Sequence, residues 1–213
     1  MSSAVGDRPP DLSTTLVVKI GGSLAETGRL KDILALIAAA QRPVVVVPGG
    51  GAFAQKVRDL QNAIRFDDAS AHRLAMLGMH QMAEMYFTMD PRYAAADSLD
   101  GIARQLAVGL IPVWMPLQMS QSDSGIPANW TITSDGLAAR LAEHLGGASL
   151  VLLKSVDAAR GQSAETLAAE GILDATFPVI VARSYLAWAI MGPSDNARLA
   201  SLLADHSAAV SNS

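Results

Sequence analysis

The sequence has no cysteine, which excludes disulfides, thiolate metal sites and cysteine nucleophiles. Charged residues are only 17% of its 213 positions and the formal net charge is −4, so no strong general field attracts nucleic acid or an anionic membrane surface. Any anion site must be local. No uninterrupted apolar run reaches about 18 residues, so no membrane span is expected. The phosphate-binding signature GxxxxGK[ST] is also missing. The N-terminal MSSAVGDRPPDLS has neither a basic start nor an apolar core. Residues 1–13 are therefore expected to form a disordered tail rather than a secretory signal, ahead of one domain over 14–213 in a cytoplasmic protein.

What is present is a pair of strand-to-glycine junctions, LVVKIGGS at Leu16 to Ser23 and VVVVPGGG at Val44 to Gly51. Buried strands that open into consecutive glycines give places where backbone N–H groups close around phosphate oxygens, and the first carries Lys19. Half the chain is apolar, enough for one sizeable core. Short runs rich in β-branched residues alternate with segments of helical period, the pattern of an α/β three-layer sandwich around a mainly parallel sheet. Strands are expected at 15–20, 43–47, 111–116, 150–154, 178–182 and 187–191. Helices are expected at 28–40, 52–61, 70–89, 98–108, 135–145 and 195–204. Two segments, 118–129 and 158–176, have no assigned element.

A dinucleotide fingerprint competes for the second junction, because Gly49, Gly51 and Ala54 fit GxGxxA and Asp67 or Asp68 lies near the ribose-binding distance. It leaves Lys19 and the first glycine pair unexplained, and no clear second strand leads to the acid. A third polar junction, TSDG at Thr133 to Gly136, offers a helix cap at Thr133 or Ser134 and an acid, Asp135. That acid either favours the helix dipole or holds lysines beside phosphates.

VVKIGGS, VVPGGG and TSDGLAARLAEHLGGASLVLLKSVD, in this order, resemble the amino acid kinase fold of acetylglutamate, uridylate, carbamate and isopentenyl phosphate kinases. PGGGAFAQKVRDLQ, AHRLAMLGMHQMAEMY, NWTITSD and LLKSVD look most like the small kinases of methanofuran biosynthesis, which phosphorylate [5-(aminomethyl)furan-3-yl]methyl phosphate with ATP. The resemblance implies an ATP- and Mg²⁺-dependent kinase acting on a small phosphorylated acceptor. It implies catalytic roles for Lys19, Asp135 and Lys154, and phosphate contacts from Gly21, Gly22, Ser23, Gly49, Gly50 and Gly51. Gln55, Arg58, His72 and Arg73 are candidates for the acceptor, and Ser155 and Asp157 for the nucleotide. Mg²⁺ would be held through ATP oxygens, with no metal site built from protein side chains.

Three departures from the family stand out. Gln55 replaces the histidine that isopentenyl phosphate kinases carry after the second glycine group. KSVDAA replaces the common TDVDGV. No lysine follows Lys154, so the late lysine that acetylglutamate kinases place on ATP has no match, and Lys154 is the residue available to serve instead. These motivate a second reading, a non-catalytic nucleotide or oxyanion binder of the same fold. Met76, Met79, Met82, Met85 and Met89 form a stripe expected to pack in the core or against another copy, and a homo-oligomer is expected. Trp130 and Trp188 are expected in the core or an interface.

Overall fold

A computed structural model of the chain describes residues 12–158, 161–205 and 207–212. Six strands, β1 (Leu16–Ile20), β2 (Val44–Pro48), β3 (Tyr93–Ala96), β4 (Ile111–Trp114), β5 (Ser149–Leu153) and β6 (Trp188–Met191), form one sheet in the order β3-β4-β2-β1-β5-β6. Every pairing is parallel. The helices are α1 (Leu30–Ala38), α2 (Gly51–Ile64), α3 (Asp68–Phe87), α4 (Leu99–Ala107), α5 (Leu117–Ser122), α6 (Ser134–His144), α7 (Ala164–Ala169), α8 (Phe177–Arg183) and α9 (Asn196–Ala204). The protein is an α/β three-layer sandwich.

Strands β1 and β2 are buried at every residue, as parallel strands covered on both faces must be. Alternate side chains feed two cores. Val17, Val45, Leu150 and Leu152 pack with α6 and α8 on one face. Leu16, Val18, Val46 and Val151 pack with α1 and α9 on the other. The chain leaves β1 through α1 on one face and enters β5 from α6 on the opposite face. The carboxyl ends of β1, β2 and β5 therefore border one crevice, where open α/β sheets place ligands.

The expected strand at 178–182 is instead part of α8. Phe177, Ile180 and Val181 are buried at helical spacing, and Pro178 sits in the first turn, where its missing N–H is not needed. The β-branched run had suggested a strand, but burial on one side only favours the helix. β3 was not expected because YAAA lacks β-branched residues; as an edge strand it relies on β4 and on Tyr93, whose hydroxyl donates to Leu34 O at 2.6 Å. The unassigned segments contain α5 and α7. Most of the expected tail lies outside the described residues, and Leu12–Thr14 form a single 3-10 turn.

Candidate active site

Lys19 is the only charged side chain in β1, at a position otherwise reserved for apolar residues. Burying its ammonium requires a counter-charge, and Asp135 in the first turn of α6 supplies it, with Nζ to Oδ1 at 2.8 Å. The register of β1 against β5 pairs Lys19 with Leu152, so Lys154 emerges two residues further on, immediately past the end of β5. Its Nζ donates to Asp135 Oδ2 at 2.7 Å and to Ile172 O at 2.7 Å. One carboxylate, only 4% exposed, thus holds two ammonium groups at the carboxyl edge of the sheet.

Burial alone would raise the Asp135 carboxyl, but Lys19 and then Lys154 outweigh it and hold the group below the ordinary range. Burial, with the neighbouring Lys19 second, lowers Lys154. Each Asp135 oxygen thus faces one ammonium group, Oδ1 that of Lys19 and Oδ2 that of Lys154.

The two glycine junctions touch each other, backbone against backbone. A Cβ on Gly22 would lie 2.1 Å from Gly51 N, and one on Gly49 would lie 2.5 Å from Gly22 N. Gly51 also has φ +52° at the start of α2. Gly21 N–H donates to Leu153 O and Gly49 N–H to Ile20 O, which ties the loops to the sheet. Among the described residues none accepts from the N–H of Gly22, Gly50 or Gly51. Converging unpaired donors at a helix start suit phosphate oxygens.

Beside these loops lies a cavity of about 350 Å³ lined by Gly22, Ser23, Gly50, Gly51, Gln55, Arg58, His72, Met76, Trp130 and Thr133 among others. Three of the four residues expected at the acceptor, Gln55, Arg58 and His72, reach it. Arg73 lines an adjacent cavity instead. Arg58 stacks on Trp130 at 4.0 Å, and Trp130 Nε1 donates to Gln61 Oε1 at 2.7 Å. Trp130 is thus a cavity wall, correcting its assignment to core or interface, whereas Trp188 meets Phe177 edge-on within the core. Glu26 also lines this cavity, and nothing in its sequence context had singled it out.

On the β5 side, Ser23 Oγ donates to Ser155 Oγ at 2.9 Å, which joins the first glycine loop to the segment after Lys154. The Asp157 carboxylate accepts from Ser194 N and Oγ at 2.9 and 2.7 Å. Asp67 caps α3 by accepting from Ser70 N at 2.7 Å, and α2 runs into α3 with no strand between, so the dinucleotide pattern lacks its acid-bearing strand. Of the methionine stripe, Met76, Met79 and Met82 are buried while Met85 and Met89 are exposed. Among the described residues no group of three His, Asp or Glu is placed to hold a metal ion.

Asp174 is the main residue that sequence reasoning missed. Neither Thr133 nor Ser134 caps α6 with its own side chain; Asp174 Oδ2 accepts from Thr133 N and Gly136 N, both at 2.8 Å. Its other oxygen accepts from Phe177 N at 3.2 Å, so one carboxylate caps α6 and α8 together. Burial first, then the charge of Asp135, raises its carboxyl. An acid just before TFP was a cap signal, but it lay in an unassigned segment.

A sequence profile described as the amino acid kinase family matches residues 14–158. The chain is 29% identical over 143 residues to a [5-(aminomethyl)furan-3-yl]methyl phosphate kinase of Methanocaldococcus jannaschii, covering 66% of each protein, just under two thirds of that relative's length. Its fold resembles uridylate kinase from Archaeoglobus fulgidus, with TM-score 0.65, 16% identity and coverage of 89% of this chain and 96% of that one. It also resembles UMP kinase from Bacillus anthracis, with TM-score 0.64, 15% identity and coverage of 92% and 93%. No helix among the described residues is long and apolar enough to cross a membrane. With the profile spanning more than half of its length, this chain belongs to the amino acid kinase family.

Proposed function

We propose that residues 14–213 act as one cytoplasmic kinase domain that transfers the γ-phosphoryl group of ATP to a small phosphorylated acceptor. The first candidate is [5-(aminomethyl)furan-3-yl]methyl phosphate, giving a diphosphate in methanofuran-type cofactor biosynthesis. The observation that carries the reading is the buried Lys19–Asp135–Lys154 arrangement beneath two glycine loops with unpaired N–H groups. The acceptor is supported by the Methanocaldococcus jannaschii relative.

In this mechanism an oxygen of the acceptor phosphate attacks the γ-phosphorus, the bond from that phosphorus to the β-bridging oxygen breaks, and ADP leaves. Such transfer needs alignment and charge stabilisation more than covalent help. Lys19 and Lys154, held by Asp135, face the transferring oxygens, while Gly21, Gly22 and Ser23 contribute the first loop. Gly49, Gly50 and Gly51 hold the acceptor phosphate. A phosphate monoester has a second pKa near 6, so it arrives mostly ionised and no general base is needed. Mg²⁺ bound through nucleotide oxygens would neutralise further charge.

Lys154 takes the place of the absent late lysine. Its bond to Ile172 O, with its bond to Asp135, fixes the ammonium group beside the carboxyl end of β1. Ser155 and Asp157 are proposed on the nucleotide side. Phosphorus NMR of the protein with ATP and Mg²⁺, across phosphorylated and carboxylated acceptors, tests the reading; a diphosphate product supports it. ATP binding without transfer to any of them would instead indicate the non-catalytic binder.

A second copy is the proposed partner. Phe53, Leu60 and Ile64 on α2 and Leu74, Leu77 and Met85 on α3 are exposed apolar side chains on two adjoining helices. Sedimentation equilibrium with Ile64→Lys and Leu74→Lys tests this, and self-association unaffected by both substitutions would count against it.

A further inference from the structure

His72 and Ser120 carry polar atoms that burial removes from water and that the protein does not satisfy. His72 is 5% exposed and Ser120 is 9% exposed, and among the described residues neither His72 Nε2 nor Ser120 Oγ has a hydrogen-bond partner. Native proteins rarely leave such groups unmet without a ligand or functional reason. Both residues line one cavity of about 480 Å³ between the first turns of α3 and the segment 120–128. His72 and Met76 also line the cavity beside the glycine loops, so the two spaces share that wall.

We propose that the acceptor lies along this shared wall, its phosphate at the glycine loops and its opposite end carrying a hydrogen-bond donor, an amine or a hydroxyl, received by His72 Nε2 and Ser120 Oγ. This rests on the kinase reading and names the part of the acceptor that the second cavity recognises. Burial lowers the His72 pKa, which favours the neutral ring, and with its proton on Nδ1 that ring leaves Nε2 as an acceptor. Charged groups nearby are less suited to the role. Asp123 lines the cavity, but its carboxylate already accepts from Arg140, His144 and Gly125 N. Arg73 is exposed, and Glu26 follows the first glycine loop, on the phosphate side.

The test compares kcat/KM for furan-3-ylmethyl phosphates that bear aminomethyl, hydroxymethyl, ethyl or carboxymethyl at position 5, with wild type, His72→Phe and Ser120→Ala. Ratios between esters within one preparation are independent of how much of a variant is folded. Wild type is expected to favour the amine and hydroxyl esters over the ethyl ester by about tenfold or more, the scale of one buried hydrogen bond. His72→Phe should bring that preference close to one, and Ser120→Ala should reduce it by a smaller factor. A preference unchanged in both variants overturns the inference, as does a carboxymethyl ester that outperforms the others, which would assign the cavity to Arg73 and an anion. If no ester turns over in wild type, the acceptor assignment itself fails, an outcome distinct from turnover without discrimination.

Discussion

The phosphate end of the site and its far end are built on opposite principles. At the phosphate end, Lys19, Asp135 and Lys154 are mutually paired and the glycine loops meet backbone to backbone, so little can move or be exchanged. At the far end, Arg58 comes from α2, His72 and Met76 from α3 and Trp130 from the segment before α6, and among the described residues His72 Nε2 has no hydrogen-bond partner. Chemistry common to a family suits the first kind of construction, and acceptor choice suits the second. Substitutions should therefore damage stability and turnover at one end and selectivity at the other.

The largest effect is expected at Asp135. Asp135→Asn leaves the buried Lys19 ammonium and the partly buried Lys154 ammonium without their anion and should destabilise the fold by about 3–5 kcal/mol in urea denaturation. On the proposed mechanism Lys19 donates to the transferred phosphoryl group, and Lys19→Ala should lower kcat about a hundred- to thousandfold. Gly22→Ala forces a Cβ against Gly51 backbone and should destabilise by about 1–3 kcal/mol while abolishing activity, measured by denaturation and assay together. If Gly22→Ala were neutral, the contrast between a rigid and an adjustable end would collapse.

Smaller effects sharpen the far end. Arg58→Ala loses the stack on Trp130 and should raise the acceptor KM several-fold, about the scale of one cation–π contact, with the ATP KM unchanged. The smallest effect concerns stability remote from chemistry. Glu143 is pulled from 4.5 to about 2, chiefly by the hydrogen bonds of Arg183, against a smaller opposing effect of burial and with help from Ser184 and Arg140. A carboxyl with a depressed folded pKa contributes fully above its unfolded value. That contribution is lost as pH falls from about 4.5 toward about 2. Glu143→Gln should flatten the acid limb of the stability curve over that window and leave turnover at neutral pH intact.

The rigid end was legible in the sequence because its chemistry is local: a lysine inside an apolar run, glycines immediately after strands, an acid at a helix start. Each violates a simple pattern and so announces itself. The pairing of both lysines on Asp135 required only the parallel order of β1 and β5. Asp174 was not legible, because it caps α6 from a segment nearly forty residues away, with Thr133 N and Gly136 N as its partners. Trp130 reads as core in the sequence because nothing in NWTITSD shows that Arg58, on α2 and several elements earlier, lies over its ring. The 178–182 run was misread because Val179 and Val181 fit a strand, and only packing of Phe177 and Ile180 on the sheet decides for α8. Local patterns marked the elements near the phosphate, while contacts between distant elements decided the rest.

Lys154, which shares Asp135 with Lys19, is the residue on which the proposed transfer most depends, because no lysine follows it in the sequence. The most direct measurement is the rate of phosphoryl transfer from ATP to [5-(aminomethyl)furan-3-yl]methyl phosphate by Lys154→Ala, with thermal denaturation of the same sample. A fall in kcat of about a hundredfold or more in a protein that still folds, with the acceptor KM little changed, is the expected result. Transfer at the wild-type rate by the folded variant would show that Lys154 has no part in the chemistry.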